Sequence, residues 1–116
     1  MDLGIQGKKA IICASSSGLG KACALSLSKE GVIVTINGRT EATVISAMKD
    51  IKDLTGNEVR GVVADITTDD GRTRLIAACP DADILITNNA GPTPGKFEDW
   101  SREDYLGAFE SNMLAP

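Results

Sequence analysis

Two periods of apolar residues alternate along the 116-residue chain. Short apolar, β-branched runs at Lys8 to Cys13, Val32 to Ile36, Val59 to Ala64 and Ile84 to Thr87 predict strands buried on both faces. Helical spacing fills the gaps between them. Leu19, Cys23 and Leu27 stand at i, i+4 and i+8, which predicts a helix from Leu19 to about Glu30, stopped by Gly31, with this stripe on the sheet. Thr40 is the predicted N-cap of a second helix, whose Val44, Met48, Ile51 and Leu54 keep the period up to Gly56. A third helix is expected from about Thr68 to Ala78, closed by Pro80. Ser101 caps a last one, in which Tyr105, Phe109 and Met113 share a face.

The resulting order is β-α-β-α-β-α-β-loop-α, with no repeat or linker. Such alternation implies an α/β fold: a doubly wound parallel sheet of about four strands with helices on both faces. Sheets of this kind bind ligands beyond the carboxyl ends of their strands. The unusual polar positions cluster there, at Ser15 to Ser17, Asn37-Gly38-Arg39, Asp65 and Asn88-Asn89-Ala90-Gly91.

Composition narrows the chemistry. The length suits one small domain, with little room for a separate substrate domain. A net charge of −4 argues against a nucleic-acid partner. No apolar run reaches membrane-spanning length and no leader pattern opens the chain, so the expected location is cytoplasmic. There is no histidine, and Cys13, Cys23 and Cys79 lack C-x-x-C spacing. These features predict no metal site and no Ser-His or Cys-His nucleophile, with the cysteines as small apolar fillers.

The stretch Cys13-Ala14-Ser15-Ser16-Ser17-Gly18-Leu19-Gly20 joins the first strand to the first helix. A tight Gly/Ser turn leading into a helix N-terminus is an anion site, because free N–H groups and the helix dipole favour negative charge. With glycines at 18 and 20 and Ala14 four residues before Gly18, the stretch resembles T-G-x-x-x-G-x-G, the cofactor signature of the short-chain dehydrogenase/reductase family. Cys13 and Ala14 depart from its leading Thr-Gly pair, a mild change provided that position 14 needs no positive φ. The resemblance continues through Asp65, which matches the family's adenine-holding acid, and through Asn88 to Gly91, which matches its N-N-A-G motif along the cofactor ribose. Asn112 lies where the family carries a catalytic asparagine in a deformed helix.

The resemblance implies a Rossmann-type fold and a nicotinamide dinucleotide cofactor. It assigns Ser15, Ser16, Ser17, Gly18, Leu19 and Gly20 to the pyrophosphate, Asp65 and Ile66 to adenine, and Asn89, Ala90 and Gly91 to the ribose. Asn112 supports a proton relay. At the end of the second strand an acid would bind the 2′-hydroxyl of NAD, whereas an arginine suits the 2′-phosphate of NADP. Asn37, Gly38 and Arg39 stand there and no acid, so NADP is favoured over NAD; against this, Glu41 follows closely enough to pair with Arg39.

The implied reaction is reversible hydride transfer to a carbonyl or secondary alcohol, leaning toward 3-oxoacyl thioesters. The family's Ser-Tyr-Lys relay, with Y-x-x-x-K spacing, is not found in these residues: the only tyrosine is Tyr105, and Phe109 stands four positions on. The chain therefore resembles the N-terminal half of the family, expected to be inactive alone and completed by a C-terminal half within a homo-oligomer. The fourth strand should then form a bare sheet edge. A second reading is a non-catalytic dinucleotide-binding module that regulates or scaffolds a partner. A third, a phosphate-binding protein unrelated to nicotinamide, leaves the matches at Asn88 to Gly91 and Asn112 without a reason.

Overall fold

A computed structural model describes residues 1–116. Four parallel strands, β1 (Lys9–Ile12), β2 (Ile33–Gly38), β3 (Val59–Val63) and β4 (Ile84–Ile86), lie in the order β3-β2-β1-β4. The chain winds outward from β1 through α1 (Gly18–Lys29), β2, α2 (Glu41–Thr55) and β3. It then returns through α3 (Asp69–Ala78) to β4 on the opposite flank of β1. The direction of winding thus reverses at β1, and a crevice opens between the carboxyl ends of β1 and β4.

Strand alternation separates two cores. On one face Ala10, Ile12, Val34 and Ile36 meet Ala24 of α1 and Val44, Ala47 and Ile51 of α2. On the other, Ile11 and Cys13 meet Ile66, Leu75 and Cys79 beside α3. Each fully buried isoleucine contributes about 1.5–3 kcal/mol. Thr35 is the exception inside: its Oγ1 is buried without a hydrogen-bond partner. After β4 the chain runs through a short 3₁₀ turn (Phe97–Asp99) into α4 (Arg102–Phe109) and a π-helical turn (Glu110–Leu114). A capping box starts α4, with Asp104 N–H donating to Ser101 Oγ and Ser101 N–H to Asp104 Oδ2. No helix is long and apolar enough to cross a membrane.

Three sequence expectations change. The buried stripe of α1 is Gly20, Ala24 and Ser28, one position on from Leu19, Cys23 and Leu27. Leu19 and Cys23 are exposed, and Leu27 is only partly buried against the core. The reason is steric: a Cβ on Gly20 would overlap the Ala14 carbonyl oxygen, and only small residues let the helix lie so close. Cys23 is accordingly no core filler, whereas Cys13 and Cys79 are. In α2, Leu54 faces solvent and Ala47 takes the buried position. Finally, Asn37 and Gly38 continue β2 beyond the predicted end at Ile36, in register with Val62 and Val63.

The expected edge is present. β4 is the outer strand beside β1, and Leu85 is exposed on it. Tyr105, Phe109 and Met113 are exposed as well.

Two measurements test this packing. Gly20→Ala should destabilise the chain by about 1–3 kcal/mol in urea unfolding; a gain of about 1 kcal/mol, the usual result of this exchange within a helix, would contradict the close approach. Thiol titration of the native chain should show Cys23 reacting fast and Cys13 and Cys79 only on unfolding, since burial shields both and raises the pKa of Cys13.

Candidate dinucleotide site

Four strand ends build one wall. The carboxyl ends of β1, β2, β3 and β4 deliver Ala14, Ser16 to Leu19, Asn37 to Arg39, Ala64 to Thr67 and Asn88 to Gly91 to a cavity of about 520 Å³, with Ser111 closing one side. The sequence places most of these residues correctly at strand ends because each follows a β-branched run that can only be a buried strand.

The turn after β1 divides its hydroxyls. Ser15 is wholly buried: its Oγ donates to the Ile12 carbonyl at 2.6 Å and accepts the Asn37 N–H at 2.9 Å. The expectation that Ser15 offers a hydroxyl to phosphate is therefore corrected, since that group serves the turn itself. Gly20 does not line the cavity either and instead sets the approach of α1. Ser16 and Ser17 do line it. Ser17 is the N-cap of α1, yet its side chain makes no capping bond, and no acidic residue occupies the first turn. The helix thus presents unsatisfied N–H groups to the cavity with no carboxylate in its own first turn.

Ala14 carries the unexpected feature. Its φ is +47°, the one positive value outside glycine, so the position does need the left-handed region and alanine there is strained. Two asparagines hold it. Its N–H donates to Asn37 Oδ1 at 3.2 Å, and its carbonyl accepts Asn88 Nδ2 at 3.1 Å. Asn88, which the sequence reading left out of the contact set, belongs to the site through this clamp; its signal was its place in the N-N-A-G run.

Asn37 is 1% exposed and its amide is fully used, with Nδ2 donating to the carbonyls of Val62 and Ala64 at 3.3 and 2.9 Å. It therefore shapes the cavity from behind. Arg39 is exposed at the rim, and the anticipated pair with Glu41 does not form. Asp65 Oδ1 accepts from the Thr67 hydroxyl at 2.6 Å and the Thr67 N–H at 2.9 Å. These bonds hold the Asp65 carboxyl below its usual range, with a smaller pull from Arg39. Ile66 packs beneath, buried in the second core while also lining the cavity.

On the far side, Asn89 Nδ2 donates to the Ser111 carbonyl at 2.5 Å and ties the loop after β4 to the π turn. That turn is closed by Ala115 N–H donating to Glu110 O at 2.9 Å, so the helix is deformed at Asn112. Asn112 itself does not line the cavity. Its Nδ2 donates back to the Ala108 carbonyl at 3.2 Å and to Ser111 Oγ at 2.9 Å.

Comparison with known proteins agrees with this geometry. A family model for the short chain dehydrogenases matches residues 8–116. The uncharacterized oxidoreductase YvaG of Bacillus subtilis is 36% identical over 99% of the chain, and a glucose 1-dehydrogenase of Gluconobacter oxydans is 32% identical over 92%. The chain spans 44% and 42% of these two relatives. The crystal structure of L-sorbose reductase from Gluconobacter frateurii, complexed with NADPH and L-sorbose, superposes with a TM-score of 0.87 at 29% identity. That alignment covers 99% of this chain and 45% of the reductase.

Replacing Ala14 by glycine should remove the left-handed strain, worth about 1–2 kcal/mol, against a smaller entropic loss. The expected net gain in urea unfolding is roughly 0.5–1 kcal/mol; a loss of stability would show that the methyl supports the turn.

Proposed function

The chain belongs to the short chain dehydrogenase family, and we propose that it is the cofactor-holding part of an NADP(H)-dependent oxidoreductase. The observation that carries this reading is the meeting, in one cavity, of an uncapped helix N-terminus and an unpaired arginine. Both attract anions, and they lie at separate strand ends, as the separate phosphates of a phosphorylated dinucleotide require.

The residues fit such a ligand. Ser16, Ser17 and the first N–H groups of α1 hold the pyrophosphate, and a Cβ-free Gly18 at φ +59° lets it approach the backbone. Leu19, exposed beside Gly18, lines the same cavity. Arg39 takes the 2′-phosphate, while Asp65 offers its unused Oδ2 to adenine above Ile66. Asn89, Ala90 and Gly91 line the ribose, with Gly91 leaving open space around its backbone. When bound, the nicotinamide supplies the hydride exchanged with a carbonyl or secondary alcohol. Asn112 supports the proton path, its amide already held by Ala108 and Ser111 at the edge of the site.

Substrate choice within the carbonyl class rests on two supports that point apart. The opening motif leans toward 3-oxoacyl thioesters. The relative named for glucose and the neighbour complexed with L-sorbose favour polyhydroxylated substrates. The working protein includes a complementary half carrying the Ser-Tyr-Lys relay and assembles as a homo-oligomer. A second reading is a non-catalytic dinucleotide-binding module that regulates or scaffolds a partner. It predicts binding with no reduction of ketones by the complete assembly.

Calorimetric titration of the chain should show NADPH binding more tightly than NADH. Arg39→Ala should weaken NADPH about tenfold or more, the scale of a lost charge-assisted contact, and NADH hardly at all. Equal losses for both would overturn the NADP assignment.

A further inference from the structure

We propose that Asn37 is a positioning residue for cofactor discrimination: its buried amide fixes the spacing between the phosphate turn and Arg39. This rests on the NADP(H) reading above.

In dinucleotide folds an acid at the end of the second strand serves the ribose 2′-hydroxyl directly. Here the last residue of the strand is Gly38 and carries no side chain, while the preceding Asn37 is turned inward with its amide bonded only to backbone. Oδ1 accepts from Ala14 at the end of β1, while Nδ2 donates to Val62 in β3 and to Ala64 just past it. The Asn37 main chain adds two bonds to the same turn, since its N–H meets Ser15 Oγ at 2.9 Å and its carbonyl accepts the Ser15 N–H at 2.7 Å. One residue on, the Gly38 carbonyl accepts the Ala64 N–H at 2.9 Å. A Cβ at position 38 would meet Ser16 Oγ at 2.7 Å, so the turn rests against the chain just before Arg39.

Two loops that line the cavity, the phosphate turn and the one after β3, are thereby fastened to a residue two positions before Arg39. A freely moving arginine loop would still attract phosphate through its charge, but it would not hold the guanidinium at a fixed distance from the helix N-terminus. Discrimination between NADPH and NADH needs that distance, because both carry the pyrophosphate and only one carries the 2′-phosphate. A merely structural amide would affect the two cofactors alike.

The test is a double-mutant cycle on the full chain, read as the ratio of NADPH to NADH dissociation constants. Thermal melts confirm that each variant is folded. Arg39→Ala is made in the wild-type chain and in Asn37→Ala. Positioning predicts that Asn37→Ala alone removes most of the NADPH preference and that adding Arg39→Ala changes the ratio less than about twofold, the mark of coupled sites. An undiminished effect of Arg39→Ala in the Asn37→Ala background overturns the proposal.

If Asn37→Ala does not fold, Asn37→Asp gives the same comparison, keeping the acceptor for Ala14 but setting an oxygen against two carbonyls. If neither folds, the Asn37 side-chain amide is followed by NMR in the wild-type chain. A larger shift with NADPH than with NADH supports the proposal, and equal shifts overturn it. A wild-type chain that binds neither nucleotide removes the underlying reading as well, and one that binds both equally removes the preference that Asn37 is said to set.

Discussion

The structure depends on a constraint at the end of β1, where a helix must begin within a few residues of a strand and lie almost against it. Gly20 has no room for a Cβ beside the Ala14 carbonyl. Ala14 adopts the left-handed conformation that turns the chain toward α1. Ser15 becomes completely buried, so its hydroxyl and N–H must find partners inside. They find them in β1 and in Asn37. The cavity-facing end of α1 is therefore fixed by the neighbouring strand as well as by its own turn, and the cavity inherits that rigidity.

The same constraint explains which parts were legible in the sequence. Val32 to Ile36 and Ile84 to Thr87 read as strands because β-branched residues in short runs have few other uses. Their order identified the parallel sheet, and the polar residues following each run marked the cavity. The face of α1 was misread because Leu, Cys and Leu dominate a hydrophobicity count, whereas close packing selected Gly20, Ala24 and Ser28. Small residues carry little hydrophobic signal, so a helix pressed onto a sheet conceals its own contact face. Asn37 and Ser15 were misjudged for a related reason. A polar residue at a strand end looks like a ligand contact, and only the three-dimensional bonds show whether its polar atoms are spent on the protein.

Ala14 shows how far local rules extend. The left-handed region costs an alanine about 1–2 kcal/mol, yet the backbone on both sides of it is held by asparagine amides. Such a conformation persists where the surroundings over-determine it, and these conditions concentrate at ligand sites. Two amides at the two ends of one peptide stretch leave the turn little freedom to relax toward an ordinary φ. The strain and the clamp are thus one arrangement, with the turn's shape set by β2 and the loop after β4 instead of by glycine.

That arrangement also bears on how the two ends of the cavity communicate. Asn37 joins the turn to the Arg39 and Asp65 loops, and Asn88 joins it to the loop after β4. Asn89 then carries the connection to the π turn at Ser111, next to Asn112. Every link is a side-chain amide bonded to backbone, short and with few rotatable bonds, so each restricts its loop at small entropic cost. A chain with one tight turn and several independent loops could bind a dinucleotide only by ordering each loop in turn. Here most of that ordering is complete before a ligand arrives, which lowers the conformational cost of binding and, on the proposed NADP(H) reading, leaves the exposed Arg39 to distinguish one cofactor from another.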